Sequence, residues 1–140
     1  MREIKFRAWN KKNNKMYYFP EMGICSEYNL LSFIWDGDTG TNYGAIDWEI
    51  ENYEVMQFTG LKDKNGEGQE MYQDDICKAN YYCEIVFDNE PHNLVGTIEW
   101  DDTFGMWMYD YGHGSTPLTD ENLRDIEIIG NIHQNPELLI

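Results

Sequence analysis

The apolar residues of this chain fall in short runs of roughly four to eight, many alternating with polar residues and each ended by glycine, asparagine, aspartate or proline. A strand buries alternate side chains, whereas a helix needs apolar residues three and four apart over about ten positions or more. The pattern therefore calls for many short strands joined by tight turns, with helix as a minor element. Aromatic residues at 15% of the sequence fit the same reading, because large flat rings pack well on a pleated surface. At 140 residues the chain suits one core of ordinary size and is too short for two full domains.

Along the chain, Ile4, Phe6 and Ala8 alternate with Lys5, Arg7 and Trp9, and the polar run Asn10 to Lys15 leads into Met16 to Phe19, so a hairpin is predicted. Leu30, Leu31 and Ile34 stand at helical spacing behind Ser26, which predicts a short helix over Ser26 to Trp35. Asp36 to Gly44 reads as a surface loop, and Ile46 to Phe58 as one long strand or two with a bend. In Gly60 to Gln69 the Asn65-Gly66 pair accepts positive φ cheaply, so a turn is expected there. Asp75 to Lys78, Tyr81 to Phe87, Val95 to Trp100 and Gly105 to Tyr109 are four β-rich runs. Among them, Ile98 and Trp100 share one face, and Asp101 to Gly105 can reverse the chain into Met106 to Tyr109. Thr119, Asp120 and Glu121 could cap one helical turn around Leu123, before a closing strand at Ile126 to Ile132.

The expected fold is mainly β: a small SH3-like or otherwise bent barrel over residues 50–135, preceded by a basic β-hairpin over 1–20 and an irregular connection with minor helix over 21–49. All three parts belong to a single domain spanning 1–140. The alternative is α+β, with a longer helix at Ser26 to Trp35.

Charge is unevenly distributed. Residues 1–15 hold Arg2, Lys5, Arg7, Lys11, Lys12 and Lys15 against Glu3, a balance of plus 5, so a net charge of minus 16 leaves minus 21 on the other 125 residues. Such a body repels phosphate backbones and anionic membranes, and direct nucleic-acid or membrane binding is not expected of it. No secretory signal pattern opens the sequence, and no apolar stretch of about 18 residues could form a spanning helix. Cys25, Cys77 and Cys83 are odd in number and lack a C-x-x-C pair, so neither a disulfide framework nor a zinc ribbon is indicated. A cytoplasmic location follows as the expectation.

Candidate chemistry is sparse. Asp74, Asp75, Asp101 and Asp102 form adjacent carboxylate pairs of the kind that can hold a divalent cation for hydrolysis, but aspartate at strand ends is ordinary turn chemistry. Asp36, Asp38, Asn42 and Asp47 approach calcium-loop spacing; Thr41 stands where that loop needs glycine, and Asp47 replaces the longer glutamate. His92, His113 and His133 are scattered, Cys77 and Cys83 sit in strand-like runs, and the YGHG at 111–114 lacks the helix and lysine of a phosphate loop. No catalytic residue, cofactor or metal is assigned. Five tryptophans and ten tyrosines exceed what a small β core holds, which points to an aromatic patch for protein contact. The candidate contact residues are Arg2, Lys5, Arg7 and Trp9 of the first hairpin with Trp100, Trp107 and Tyr109 of the aromatic one.

Four blocks carry a family resemblance: MREIKFRAWN at the start, VMQFTGLKDKNG at 55–66, YQDDICK with GTIEWDDTFGMW, and IEIIGNIHQNPELL near the end. In this order and with these residues the chain resembles the YopX family. Two departures stand out: Gly66 to Met71 looks longer than the family's usual turn, and Asp74 stands where the family often has glycine. The resemblance implies a phage or prophage accessory protein without assigned enzymatic activity, whose members are thought to assemble as oligomers. The function expected is therefore protein–protein contact without catalysis, with the chain itself and an unidentified host or phage protein as partners. An acidic DNA-mimic inhibitor is the alternative, and a metal-dependent hydrolase a more distant one.

Overall fold

The computed structural model describes residues 3–19, 24–25, 30–31, 35–36, 41–42, 53–82 and 92–139, with the backbone alone for residue 19 and for the four short pieces between 24 and 42. The chain divides into two compact units, Met1–Phe58 and Thr59–Ile140.

In the first unit the expected hairpin forms. Strand β1 (Phe6–Asn10) pairs antiparallel with β2 (Lys15–Phe19), Trp9 lying opposite Met16. Asn10 closes the turn, its Oδ1 accepting from the Lys12 and Asn13 amides and its carbonyl from the Asn14 amide. Asparagine suits this place because its side chain bonds backbone two and three residues on. The first strand is central: its other side pairs with the beginning of a long strand reaching from Tyr53 to Lys62, with Ala8 opposite Val55. Being flanked on both sides, β1 buries Arg7 and Trp9 on one face and Ala8 and Asn10 on the other.

Four two-residue strands follow: β3 (Ile24–Cys25) pairs with β4 (Leu30–Leu31), and β5 (Trp35–Asp36) with β6 (Thr41–Asn42). Leu30, Leu31 and Trp35 are thus extended where the spacing suggests helix. Two paired residues satisfy the backbone across a hairpin, and leucine and tryptophan tolerate either conformation. The rest of Ser26 to Trp35 lies outside the described residues, as do most of the calcium-like loop and residues 46–52. Of the β-rich run expected at Tyr81 to Phe87, only Tyr81 and Tyr82 are among the described residues.

The long strand is β7 (Tyr53–Lys62); it enters the second unit and is flanked there by β8 (Glu70–Tyr72). The strand thus runs two residues past Gly60, further than the sequence suggests, and the turn begins at Asp63. Lys64 and Asn65 then adopt left-handed conformations, φ 51° and 59°, which the Asn65-Gly66 pair accommodates.

Beyond it lie β9 (Asp75–Tyr81), β10 (His92–Asp101), β11 (Met106–Asp110), β12 (Ser115–Pro117) and β13 (Leu123–Asn131). They form one antiparallel sheet in the order β12-β11-β10-β9-β13. Register shifts in β13 between Arg124 and Glu127 and between Ile128 and Gly130 bend the sheet, which curls into a half-barrel. The expectation of a mainly β, bent-barrel fold holds, and helix is confined to short turns such as Pro136–Leu139 among the described residues. The helical turn expected around Leu123 does not form. Leu123 opens β13 with its side chain buried, while Asp120 acts as a turn former whose Oδ1 accepts from the Asn122 amide.

The concave face carries the core: Met71, Cys77, Ala79, Ile98, Tyr109, Leu118 and Leu123, with Trp107 and Tyr111 packed against it. Tyr109 is fully buried and its hydroxyl lies 2.9 Å from the carbonyl oxygens of both Cys77 and Leu94, tying β11 across β10 to β9. Gly96 makes this possible. A Cβ there would stand 2.9 Å from the Tyr109 ring and 2.4 Å from the Asp110 carbonyl oxygen. Burial pushes the Tyr109 phenol well above the ordinary tyrosine range, so it stays protonated and available as a donor.

Both sheet edges are protected. Strand β12 is three residues long and ends in Pro117, which cannot donate to a further strand. Edge β13 is held by the buried Asp63, whose Oδ2 accepts from the Ile128 amide and Oδ1 from the Gln69 amide. One carboxylate thereby fixes both the long turn and the last strand.

Candidate protein-contact site

The β10–β11 hairpin runs past its neighbours. Pairing with β9 ends at Thr97 opposite Ile76, and pairing with β12 begins at Met108 opposite Pro117. Single further bonds, Asp74 amide to Ile98 carbonyl and Leu118 amide to Trp107 carbonyl, reach one residue more on each side. Beyond these, the segment from Glu99 to Met106 is a two-stranded ribbon without a neighbouring strand among the described residues.

The ribbon is stiff for its size. Asp101 Oδ1 accepts from the Thr103 and Phe104 amides, and the Asp101 carbonyl accepts from the Gly105 amide, so the aspartate that the alternation places at the reversal builds it. Trp100 lies directly opposite Trp107, with ring centroids 5.1 Å apart at 71°, an edge-on packing that fixes both indoles.

What this rigid end displays is apolar. Phe104 at the tip is 69% exposed, Trp100 on the concave side 42%, and Met106 on the opposite side 38%. Acidic groups alternate with them: Glu99, Asp101 and Asp102. Between Lys78 and Arg124 the sequence holds no lysine or arginine at all. On the convex side the Glu99 carboxyl is raised above the usual carboxylate range, first by partial burial and then by the charge of Asp110, with Asp74 adding to it. The Asp110 carboxylate thus lies close enough to Glu99 to repel it.

Among the described candidate contact residues, Trp100 is the one that is exposed. Trp107 is half-buried beneath it, and Tyr109 is interior, where no partner reaches it. In the first unit, Arg7 is 2% exposed with its guanidinium over the Tyr18 ring, and Trp9 is buried. Lys5 pairs with Glu3 and lies over Phe58, while Arg2 falls outside the described residues. The positive charge open to solvent on the hairpin is that of Lys11, Lys12 and Lys15, with Lys11 also meeting Glu54 at 3.3 Å. Sequence reasoning misses Phe104 and Met106, because reading strands by alternation assigns turn and outward positions no role.

The carboxylate pairs resolve into structural parts. Asp75 is buried and caps the β8–β9 turn by accepting from the Tyr72 amide. Asp74 has φ 71°, a backbone state glycine adopts freely and aspartate tolerates, and its Oδ2 lies 3.2 Å from His133 Nε2. Among the described residues no group of three His, Cys, Asp or Glu side chains converges as a metal site requires. The Cys77 thiol is buried in the core, and the 111–114 segment is the β11–β12 turn, closed by the Tyr111 amide bonding the Gly114 carbonyl. An open cleft of about 460 Å³ lies on the second unit, lined by Val95, Thr97, Asp110, Tyr111, Leu138 and Leu139. Among the described residues no helix is long and apolar enough to cross a membrane.

No curated protein matches the chain. Solved structures do match it, among them the following two. The protein EF1440 from Enterococcus faecalis is 27% identical, with full coverage of both chains (100% each) and a TM-score of 0.61. Protein YopX from Bacillus subtilis is 22% identical over 97% of this chain and 95% of that one, with a TM-score of 0.65. The model of the YopX protein family matches residues 5–140, and on that match, with the fold it shares, the chain belongs to the YopX family.

Proposed function

We propose that this chain is a non-catalytic phage or prophage accessory protein of the bacterial cytoplasm that works by binding protein surfaces, its own copies included. The observation that carries the reading is the rigid ribbon end with Trp100, Phe104 and Met106 exposed. Apolar groups held in water by a stiff scaffold cost free energy that contact with a partner recovers, at roughly 25 cal/mol per Å² covered. The charge asymmetry supports self-association in particular: Lys11, Lys12 and Lys15 project from the first hairpin, and the second unit is strongly acidic. Opposite patches on one chain favour head-to-tail contacts between copies.

Light scattering at about 50 mM and about 500 mM salt tests this, because screening shortens from over ten to a few ångströms across that range. A multi-chain mass that falls towards 16.6 kDa at high salt is expected. A single-chain mass at both concentrations contradicts self-assembly.

A second reading, an acidic surface that occupies the nucleic-acid channel of a host protein, is favoured by the mutual repulsion of the Glu99, Asp110 and Asp74 carboxylates. It predicts that duplex DNA and this chain compete for the same host protein.

A further inference from the structure

The β1–β2 and β10–β11 hairpins end in the same turn, built twice. In each, four residues join the strands, with Asn10 opposite Lys15 in one and Asp101 opposite Met106 in the other. The carbonyl of Asn10 or Asp101 accepts from the amide four positions on, Asn14 or Gly105, at 2.8 Å in both. The side-chain Oδ1 of the same residue accepts from the amides two and three positions on, at 2.9 and 3.4 Å in the first turn and 2.8 and 3.0 Å in the second. The residue before each return strand is left-handed, with φ 56° at Asn14 and 62° at Gly105. Both ends are therefore held by the same internal bonds, and they differ in what they present.

The first turn presents Lys11, Lys12 and Lys15, all exposed; among the described residues, Lys12 and Lys15 meet no carboxylate. The second presents the opposite charge beside apolar groups. Alternation along β10 places Glu99 and Asp101 on one face, register adds the exposed Met106 to that face, and Asp102 and Phe104 stand at the tip. Among the described residues Asp102 meets no cation. A lysine suits such a surface, because its aliphatic stem lies along apolar groups while its ammonium reaches a carboxylate beyond them. Exposed ion pairs alone contribute little, so the covering of Phe104 and Met106 holds such a contact and the charges decide which surfaces meet.

We propose that the basic β1–β2 turn of one copy docks on the β10–β11 ribbon end of a second copy, with the stems of Lys12 and Lys15 over Phe104 and Met106 and their ammonium groups on Asp102 and Glu99. This rests on the reading of the chain as self-associating and names the two surfaces that meet. Each copy carries both halves, so the contact is head-to-tail and every added chain can repeat it.

Sedimentation of the full chain at about 50 mM salt, with two charge reversals, is the test. Lys12→Glu/Lys15→Glu reverses the basic turn, and Glu99→Lys/Asp102→Lys reverses the ribbon end; Asn10 and Asp101, which hold the turns, are kept in both. The first makes the chain more acidic and the second less, so general repulsion between acidic chains would move assembly in opposite directions. Docking requires that each reversal weaken assembly, by about tenfold or more in dissociation constant. Assembly returns to within about threefold of wild type when the two reversed chains are mixed, and again when both reversals are placed in one chain, since each restores opposite charges across the contact. Glu67→Lys/Glu121→Lys, which reverses equal charge elsewhere in the second unit, leaves assembly no weaker than wild type.

A ribbon reversal that leaves assembly unchanged or strengthens it overturns the proposal, as does a doubly reversed chain that stays dissociated with the circular dichroism of the wild type. If that chain does not fold, the mixture of the two singly reversed chains decides, and its failure to assemble is the refutation. Assembly that dissolves in salt yet survives both reversals removes this pairing and leaves the self-association reading standing. A wild type that is a single chain at low salt refutes both.

Discussion

Replacing Asp63 with alanine should loosen two parts of the second unit at once. Its side chain is 2% exposed and accepts from two amides, Gln69 in the long turn and Ile128 in the edge strand β13, the latter at 2.9 Å. Hydrogen bonds to a charged acceptor contribute about 1.5–3 kcal/mol each, and a buried N–H left without a partner costs about 1–3 kcal/mol. Relief from burying the carboxylate offsets part of this, so a net loss of about 2–4 kcal/mol is expected. Asp63→Asn should fare little better, because its amide keeps one acceptor and turns a donor towards the other N–H. Gly68 supplies a second handle. A Cβ at that position would lie 1.9 Å from Asp63 Oδ1, so Gly68→Ala must displace the same carboxylate. Urea denaturation of the two single variants and the double variant gives the cycle, and the double should lose much less than the sum. Hydrogen exchange at the Ile128 amide should accelerate in each. An Asp63→Ala variant within about 0.5 kcal/mol of wild type, or additive losses in the cycle, would refute the idea that this carboxylate staples turn to strand.

Three other expectations follow from the same geometry. Tyr109→Phe removes the hydroxyl that meets the Cys77 and Leu94 carbonyls and should cost about 1–2 kcal/mol in urea without a change in slope. Because burial raises the Tyr109 phenol, the folded state holds its proton where the unfolded chain releases it; stability should fall as pH climbs past about 10, and less steeply in Tyr109→Phe. Glu99 has the corresponding sign for a raised carboxyl: its contribution favours folding at pH below the ordinary glutamate range and is lost as pH rises through that range. Glu99→Gln should thus stabilise at pH 7 and do nothing at about pH 3.5, by less than about 1 kcal/mol because the group is solvent-screened; stabilisation equal at both pH values would contradict the crowding of Glu99 by Asp110 and Asp74.

Much of this fold is legible where the signal is local. Ile98 and Trp100 alternating with Glu99, followed by Asp101 and a glycine, specify the ribbon and its turn within a dozen residues, and the Asn65-Gly66 pair marks the left-handed turn. What depends on distant partners is not legible. Asp63 reads as one more turn residue because its second acceptor interaction is with Ile128, 65 positions away. Tyr109 reads as surface because nothing in the alternation says that Gly96, on the facing strand, leaves room for its ring and brings two carbonyls within reach. Arg7 reads as a solvated cation because its burial follows from β1 being a central strand, which only the pairing with β7 establishes. The contact site is half visible: Trp100 follows from composition and hairpin position, whereas Phe104 and Met106 gain meaning once the ribbon is seen to outrun β9 and β12.

The central claim is that the apolar end of this ribbon exists for a partner and contributes nothing to the folded chain by itself. Phe104→Ser, followed in one sample series by thermal melting and by sedimentation in low salt, separates the two directly. A melting temperature unchanged within a degree or two, together with loss of the assembled species, is the predicted result. A destabilised chain that still assembles would place Phe104 in the structure's own packing and contradict the account.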